Sequence, residues 1–334
     1  MFAGAKRNIF IIVLLCFMML VAACSSNGSG ADNAEGAATT EPAEAASDPS
    51  ATPVVESEPA TRIITTAKGD IEVPSNPQRV VVLYMLGDVL AFDVTPVGVS
   101  AVYEGAAFEE ALADVPQLGE WFTPSQEAVL ALDPDLIIVP SEETYELLKD
   151  IAPTVLLSYF DAPLEERIQQ VGNVLGKEHV VSEVLKQFNE KVEASKQKLA
   201  DAGLLDKTVT IVEGGKGTMG VVASKDYGRG SQIIYEYLGM KAPVKLQVEI
   251  DQATEATGIE LSFEVLSDYI GDYVFRSSYE GMADLSENTV WNSIPAVKEG
   301  RLIEIGFGLS YYNDIYSLDK QLDYIVDSLL ATVQ

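Results

Sequence analysis

The feature that most constrains the fold is an alternation of helix and strand patterns within residues 123–155. A helix N-cap at Thr123, a following proline and a capping-box partner at Gln126 predict the start of a short helix. An Asp-Pro pair ends it, and DLIIVP is a continuous apolar run typical of a strand buried on both faces. Ser141 is placed to cap a helix over residues 142–149, and the proline of IAPTV favours extended chain after it. This order predicts an open α/β sheet with parallel strands.

The second half begins with a strongly helical pattern over residues 164–200, in which apolar residues recur every three or four positions and a break is expected near Lys177. The stretches TVTIVEGG and TMGVVAS predict two strands, and a glycine-rich loop, DYGRGS, precedes a helix in QIIYEYLGM. Ser262 is expected to cap a helix that runs to Tyr269. DYVFRSS and RLIEIG predict two further strands, and a helix over residues 318–333 closes the chain.

The N-terminus has the pattern of an exported, lipid-anchored protein. Two basic residues precede an apolar run over residues 9–23, which is shorter than the roughly 20 residues of a bilayer span and fits a signal peptide. The run ends LVAAC, a bacterial lipobox, so residues 1–23 are expected to be removed and Cys24 to be lipidated. Residues 24–60 then form a flexible linker, because their small and polar composition cannot support a core.

Composition excludes several classes of function. A formal charge of −29 argues against a nucleic-acid partner, which requires a basic surface, and against broad electrostatic capture of anions. The single histidine, His179, lies in a hydrophilic stretch and is expected to be solvated. Receptors for bare zinc or manganese use several histidine and carboxylate ligands, so this count disfavours them. HExxH, GxSxG and phosphate-binding glycine-loop motifs are absent from the sequence, and no enzyme activity is expected.

Three blocks of the chain resemble a known family. ALDPDLII followed by IAPTV, RVVVLYMLGDVLAFDVTPVGVS, and WNSIPAVKEGRLIEI occur in the order found in the substrate-binding lipoproteins of iron-siderophore, haem and cobalamin ABC importers. The resemblance covers about residues 61–330. It implies a class III periplasmic-binding-protein fold, an α/β architecture of two Rossmann-like lobes joined by a long helix. The lobes would comprise residues 61–163 and 201–334, with residues 164–200 between them.

The resemblance also implies a function. The chain would be a monomeric receptor that binds a ferric siderophore and delivers it to an ABC permease dimer with its ATPase. The long linker favours the outer face of a Gram-positive cell membrane as its location. The siderophore would hold the iron, so neither a protein metal site nor a cofactor is expected. Glu127 and Glu264 match the two family glutamates, one in each lobe, that contact arginines of the permease. Each also stands in the first turn of a predicted helix. The helix dipole stabilises a carboxylate there, which would explain both glutamates without a permease.

Two arginines and a set of aromatic residues are candidates for binding the ligand. Arg229 lies between two glycines, in a loop where siderophore-binding relatives often place an arginine, and its guanidinium suits chelate oxygens. Arg276 stands at the carboxyl edge of a predicted strand, where ligands of α/β proteins collect. Aromatic side chains at other strand ends are expected to line the cleft: Tyr84, Tyr103, Trp121, Phe307 and Tyr311.

The nature of the ligand stays open at this stage. Hydroxamate or citrate-hydroxamate siderophores are favoured, because a tris-catecholate carries about three negative charges and usually requires a basic cluster. Haem or a corrinoid is an alternative within the same fold. A surface hydrolase that uses paired carboxylates is an alternative of another class, and it requires two carboxyl groups within about 10 Å. A sensing lipoprotein that signals without transport is a third.

Overall fold

The computed structural model describes residues 60–157, 159 and 162–333. The expected signal peptide, Cys24 and nearly all of the linker therefore lie outside the described residues. Within these ranges, no helix has both the length and the apolar character needed to cross a membrane.

The N-terminal lobe is built on a parallel sheet. A hairpin of β1 (Thr61–Thr66) and β2 (Gly69–Pro74) precedes it. The lobe then comprises β3 (Val80–Val82), α1 (Leu86–Leu90), β4 (Gly98–Val99), α2 (Gln126–Ala131), β5 (Leu136–Val139), α3 (Glu142–Leu148) and β6 (Thr154–Leu156). The strand order is β4-β3-β5-β6, with every pair parallel. All four residues of β5 are buried, as its continuous apolar run predicts. The predicted parallel sheet is confirmed.

The start of α2 differs from the prediction. Its N-cap is Ser125, whose hydroxyl accepts a hydrogen bond from the backbone N–H of Ala128 at 3.3 Å, and not Thr123. Residues 123 and 124 belong to the preceding turn. Two capping residues lie two positions apart here, and the turn geometry decides which of them serves. At α3 the predicted cap, Ser141, is confirmed.

Two helices connect the lobes: α4 (Leu164–Leu175) and α5 (Glu178–Asp201). Gly176 ends α4 in the left-handed conformation, with φ 70°, so the predicted break near Lys177 is confirmed. A Cβ on Gly176 would lie 2.2 Å from the carbonyl oxygen of Ser75, which makes glycine necessary at this position. The 24-residue α5 is the long helix of the connection.

The C-terminal lobe comprises β7 (Val209–Gly214), β8 (Thr218–Val222), a π-helix (Gln232–Tyr237), α6 (Val244–Gln252), β9 (Gly258–Ser262), α7 (Phe263–Leu266), a 3-10 turn (Ser267–Tyr269), β10 (Tyr273–Ser278), α8 (Thr289–Ser293), α9 (Pro295–Lys298), β11 (Leu302–Gly306), α10 (Phe307–Tyr311) and α11 (Ile315–Ala331). The strand order is β11-β10-β7-β8-β9. Strands β11, β10 and β7 are parallel, whereas β8 and β9 run antiparallel to their neighbours. The sheet is mixed because β7 and β8 are joined by a short glycine-rich turn, which permits only antiparallel pairing.

A buried group of three ionisable residues joins the lobes. Asp88 of α1 accepts hydrogen bonds from Arg167 Nε of α4 at 2.5 Å and from the backbone N–H of Ile315 at 3.0 Å. Asp314 caps α11 and is also fully buried. Gly87 brings these elements close together, since a Cβ there would lie 1.7 Å from Asp314 Oδ1. The N-terminal lobe, the connecting helix α4 and the C-terminal lobe therefore all meet at this buried group.

Candidate ligand-binding cleft

The cleft begins at the carboxyl end of the N-terminal sheet, where Tyr84 follows β3. Its backbone is left-handed, with φ 74°, which is costly for an aromatic residue and typical of functional positions. The backbone N–H of Tyr84 donates to Ser100 Oγ at 3.1 Å. Burial, with a smaller effect of Tyr159, raises the pKa of the Tyr84 phenol, so the ring stays uncharged.

The five predicted aromatic residues form one continuous group that spans both lobes. The ring centroid of Tyr103, from the N-terminal lobe, lies 4.6 Å from that of Tyr311 and 5.4 Å from that of Phe307, both on α10. The Tyr84 ring lies 6.3 Å from Tyr311 and 5.4 Å from Trp121. These separations and the tilted rings are typical of favourable aromatic pairs. The structure thus brings together side chains that lie more than 200 positions apart in the sequence.

Arg229 lies against this aromatic group in a loop of left-handed residues. Gly228, Arg229 and Gly230 have φ values of 95°, 59° and 87°, and the Arg229 N–H donates to the carbonyl of Ser310 at 2.7 Å. Its guanidinium lies 4.5 Å from the ring of Phe307. The Arg229 Nε donates to Glu213 Oε2 at 2.7 Å, and within the described chain neither Nη atom has a hydrogen-bond partner or is fully buried. Both Nη groups are therefore available to an oxygen-rich ligand.

A cavity of about 410 Å³ adjoins Arg229 and Phe307, and Tyr279, Glu213 and Glu260 also line it. It combines aromatic faces, an arginine with free donors and carboxylates, the mixture typical of sites for small organic ligands. A larger cavity, of about 880 Å³, lies beside the first residues of α4. That cavity contains none of the seven predicted ligand residues, so the smaller one is the candidate site.

Arg276 is separated from this group. It is 4 % exposed, and its Nη2 donates to the carbonyls of Gly214 at 3.1 Å and Ala283 at 2.6 Å. Its guanidinium lies 5.9 Å from the ring of Trp291, and it lines a different cavity, of about 440 Å³. Burial lowers the pKa of Arg276. Its two backbone contacts connect the end of β7 with the loop that follows β10, so the structure gives Arg276 a supporting position and not one among the other six residues.

The sequence analysis missed three residues that line this cavity, Glu213, Glu260 and Tyr279, and also Tyr227, which bonds one of them. Glu213 ends β7 before two glycines, and an acid at a strand end was a usable signal. Tyr227 donates its hydroxyl to Glu213 Oε1 at 2.7 Å, and burial together with that bond raises the pKa of Tyr227 to about 12. Glu260 reaches the cleft only through the pairing of β9 with β8, which the sequence did not indicate.

The two glutamates predicted to contact a permease are both exposed and lie on different lobes. Glu127 is in the first turn of α2, and Glu264 is in the first turn of α7, where a hydrogen bond from Ser262 lowers its pKa. Glu127 belongs to the lobe of the four-stranded sheet and Glu264 to that of the five-stranded sheet. Their separation on two lobes disfavours the alternative in which they act together as paired carboxylates. Among the residues that the structure describes, no group of three or more His, Cys, Asp or Glu side chains is arranged to hold a metal ion.

Comparison with known proteins identifies the family of the chain. The model of the periplasmic binding protein family matches residues 76–308. The chain belongs to that family. It is 30 % identical to the iron(3+)-hydroxamate-binding protein YxeB of Bacillus subtilis over 98 % of both chains. It is 34 % identical to the iron(3+)-hydroxamate-binding protein FhuD of the same organism, over 78 % of this chain and 84 % of the relative.

A solved structure of similar fold comes from the same organism. It is a periplasmic binding protein component of a Fep/Fec-like ferrichrome ABC transporter of Bacillus subtilis, with a TM-score of 0.71 and 30 % identity. The match covers 80 % of this chain and 99 % of that one. The family resemblance and the two-lobed fold expected from the sequence are thereby confirmed.

Proposed function

We propose that this protein is an extracytoplasmic receptor that binds a ferric siderophore of the hydroxamate or citrate-hydroxamate type between its two lobes. The observation that carries the proposal is the aromatic group around Arg229, which lines a cavity and whose two Nη groups have no hydrogen-bond partner within the described chain. Rings from both lobes suit the apolar linkers of a bulky chelate, and the guanidinium suits its oxygens. The names of the two Bacillus relatives, both iron(3+)-hydroxamate-binding proteins, support the same ligand class.

Tryptophan fluorescence offers a direct test, because Trp121 lies in the aromatic group whereas Trp291 is 2 % exposed. The purified protein is titrated with ferric hydroxamates, ferric catecholates, ferric citrate, haem and cobalamin. We expect saturable quenching by a ferric hydroxamate, and a dissociation constant at least about tenfold higher for Arg229→Gln, because a charged hydrogen bond contributes about 1.5–3 kcal/mol.

Arg79→Gln is the matched control for that titration. Arg79 is an exposed arginine of the N-terminal lobe that donates to the carbonyls of Leu132 and Asp133, outside the cleft. Its replacement is expected to leave the affinity unchanged. Saturation by haem or cobalamin alone would instead support the alternative ligand of the same fold, and silence towards the whole panel would refute the receptor.

Delivery to an ABC permease through Glu127 and Glu264 is the second part of the proposal. Both carboxylates are exposed and lie in the first turns of helices, one on each lobe, so they are suited to fixing the orientation of a partner. Glu127→Ala and Glu264→Ala are expected to abolish uptake of the ferric chelate by whole cells while leaving its affinity for the purified protein unchanged.

Glu143→Ala serves as the control for those variants, since Glu143 is an exposed acid in the first turn of the neighbouring α3. If Glu143→Ala reduced uptake as much as Glu127→Ala, the effect would come from surface charge in general. We further propose that the receptor works as a monomer, and that Cys24 carries the lipid anchor. Cys24→Ala is therefore expected to release the protein from the membrane into the medium.

A further inference from the structure

Three residues stand side by side across neighbouring strands of the C-terminal sheet. Glu213 of β7 pairs with Gly220 of β8, and Gly220 pairs in turn with Glu260 of β9. A Cβ on Gly220 would lie 3.3 Å from Glu213 Cγ and 3.3 Å from Glu260 Oε1. The two carboxylates therefore flank the same point on one face of the sheet, and the residue between them has no side chain. We refer to these three residues as the Glu213–Gly220–Glu260 row.

Hydrogen bonds hold both carboxylates in place. Glu213 accepts from Tyr227 Oη and from Arg229 Nε, each at 2.7 Å, and its side chain is 24 % exposed. Glu260 Oε2 accepts from Thr218 Oγ1 at 2.7 Å. Both residues line the cavity of about 410 Å³, so their charges act on a ligand that enters it.

The charges around the cavity cancel locally. Glu213 and Glu260 are opposed by Lys216 and Arg229, all four of which line the cavity of about 410 Å³. Nε of Arg229 is already occupied by Glu213, so the arginine does not act as an uncompensated cation. The protein as a whole carries a formal charge of −29 and supplies no attraction for anions from farther away.

We infer that the Glu213–Gly220–Glu260 row makes the cleft select ferric chelates by their charge, accepting uncharged or cationic tris-hydroxamates and rejecting polyanionic tris-catecholates. Three singly charged hydroxamates neutralise Fe³⁺, so neither carboxylate repels their complex. A tris-catecholate keeps three negative charges, and because the two carboxylates balance Lys216 and Arg229 the cavity offers it no net attraction. The inference rests on the proposed function and assigns its selectivity to two residues.

The experiment compares two probes, ferrichrome as the uncharged chelate and ferric enterobactin as the triply negative one. Their dissociation constants are measured by fluorescence for the wild type, Glu260→Gln and Glu213→Gln. Glu260→Gln is the more informative variant, because Glu260 has no contact with Arg229 and glutamine keeps its shape. Glu143→Gln is the matched control: it removes one exposed acid from the other lobe, so the total negative charge falls by the same one unit as in Glu260→Gln.

We expect Glu260→Gln to lower the ratio of the enterobactin to the ferrichrome dissociation constant by about tenfold, with the ferrichrome value changed less than twofold. Glu213→Gln is expected to lower the same ratio and also to weaken ferrichrome binding, because Arg229 loses its partner. Ratios that stay within twofold of wild type in both variants would overturn the inference while leaving the receptor function intact. A ratio that falls equally in Glu143→Gln would also overturn it. Failure of wild type to bind ferrichrome or any other ferric hydroxamate would instead contradict the proposed function.

Discussion

Replacing Asp314 by asparagine is expected to make the stability of the protein less dependent on pH. Asp314 is fully buried and caps α11, accepting hydrogen bonds from the Ser317 N–H at 2.8 Å and the Ser317 hydroxyl at 3.0 Å. Its surroundings hold another carboxylate, Asp88, and one cation, Arg167. Asparagine has the same shape and is equally good as an N-cap, so the substitution removes the titrating group and keeps the cap.

The magnitude follows from the pKa of Asp314. Burial, reinforced by the charge of Asp88, raises it from 3.8 to about 7. Between these values the folded protein holds a proton that the unfolded chain has released, so stability is highest at low pH and falls as the pH rises towards 7. At about 1.4 kcal/mol per pKa unit, the free energy of unfolding should fall by about 2.5 kcal/mol between pH 5 and pH 8 through this group alone.

The assay is urea unfolding of wild type and Asp314→Asn at pH 5 and pH 8, with the change in unfolding free energy compared between the two proteins. Asp327→Asn, which removes an exposed acid from the same helix, corrects for the general effect of charge. The wild type should lose about 2.5 kcal/mol more than Asp314→Asn over this range. Equal losses in the two proteins would show that Asp314 does not titrate between pH 5 and pH 8, which would refute the raised pKa of Asp314.

Three further substitutions test other contacts by urea unfolding. Gly87→Ala should destabilise the protein by about 3 kcal/mol, because its Cβ would overlap Asp314, whereas Gly306→Ala has open space and should change little; equal effects would contradict the close contact. Arg276→Met should cost about 2 kcal/mol and weaken ligand binding, since the carbonyls of Gly214 and Ala283 lose their donor; unchanged stability and affinity would refute the supporting position. Ser125→Ala should lower the free energy of unfolding by about 1 kcal/mol and Thr123→Ala should leave it almost unchanged. The reverse order would show that Thr123 is the N-cap, as the sequence predicted.

The sequence predicted the N-terminal lobe well because its signals are local. The apolar run of β5, the cap at Ser141 and the glycine break after α4 each depend on residues within a few positions of one another. The cap of α2 was assigned two residues too early, since two candidate caps occur together and only the turn geometry separates them.

The C-terminal lobe and much of the cleft depend on pairings that a single sequence does not reveal. The pairing of β9 with β8 brings Glu260 beside Gly220, and no pattern within residues 258–262 predicted either the strand or its partner. The contact of Asp88 with Arg167 joins residues 79 positions apart. The grouping of the aromatic candidates could be predicted because the ends of successive strands meet in an α/β fold, a rule that needs only the order of the elements.

The ring contacts between Tyr103 and Tyr311 have a consequence for affinity. The two side chains pack against each other between the lobes, with ring centroids 4.6 Å apart. If a chelate binds between the lobes, as we propose, its contacts replace this one, and the binding free energy is the difference between the two. A smaller side chain at position 103 removes part of the competing contact. Weaker binding by such a variant would measure what the Tyr103 ring contributes to chelate binding, and tighter binding would measure the free energy of the ring contact that the chelate replaces.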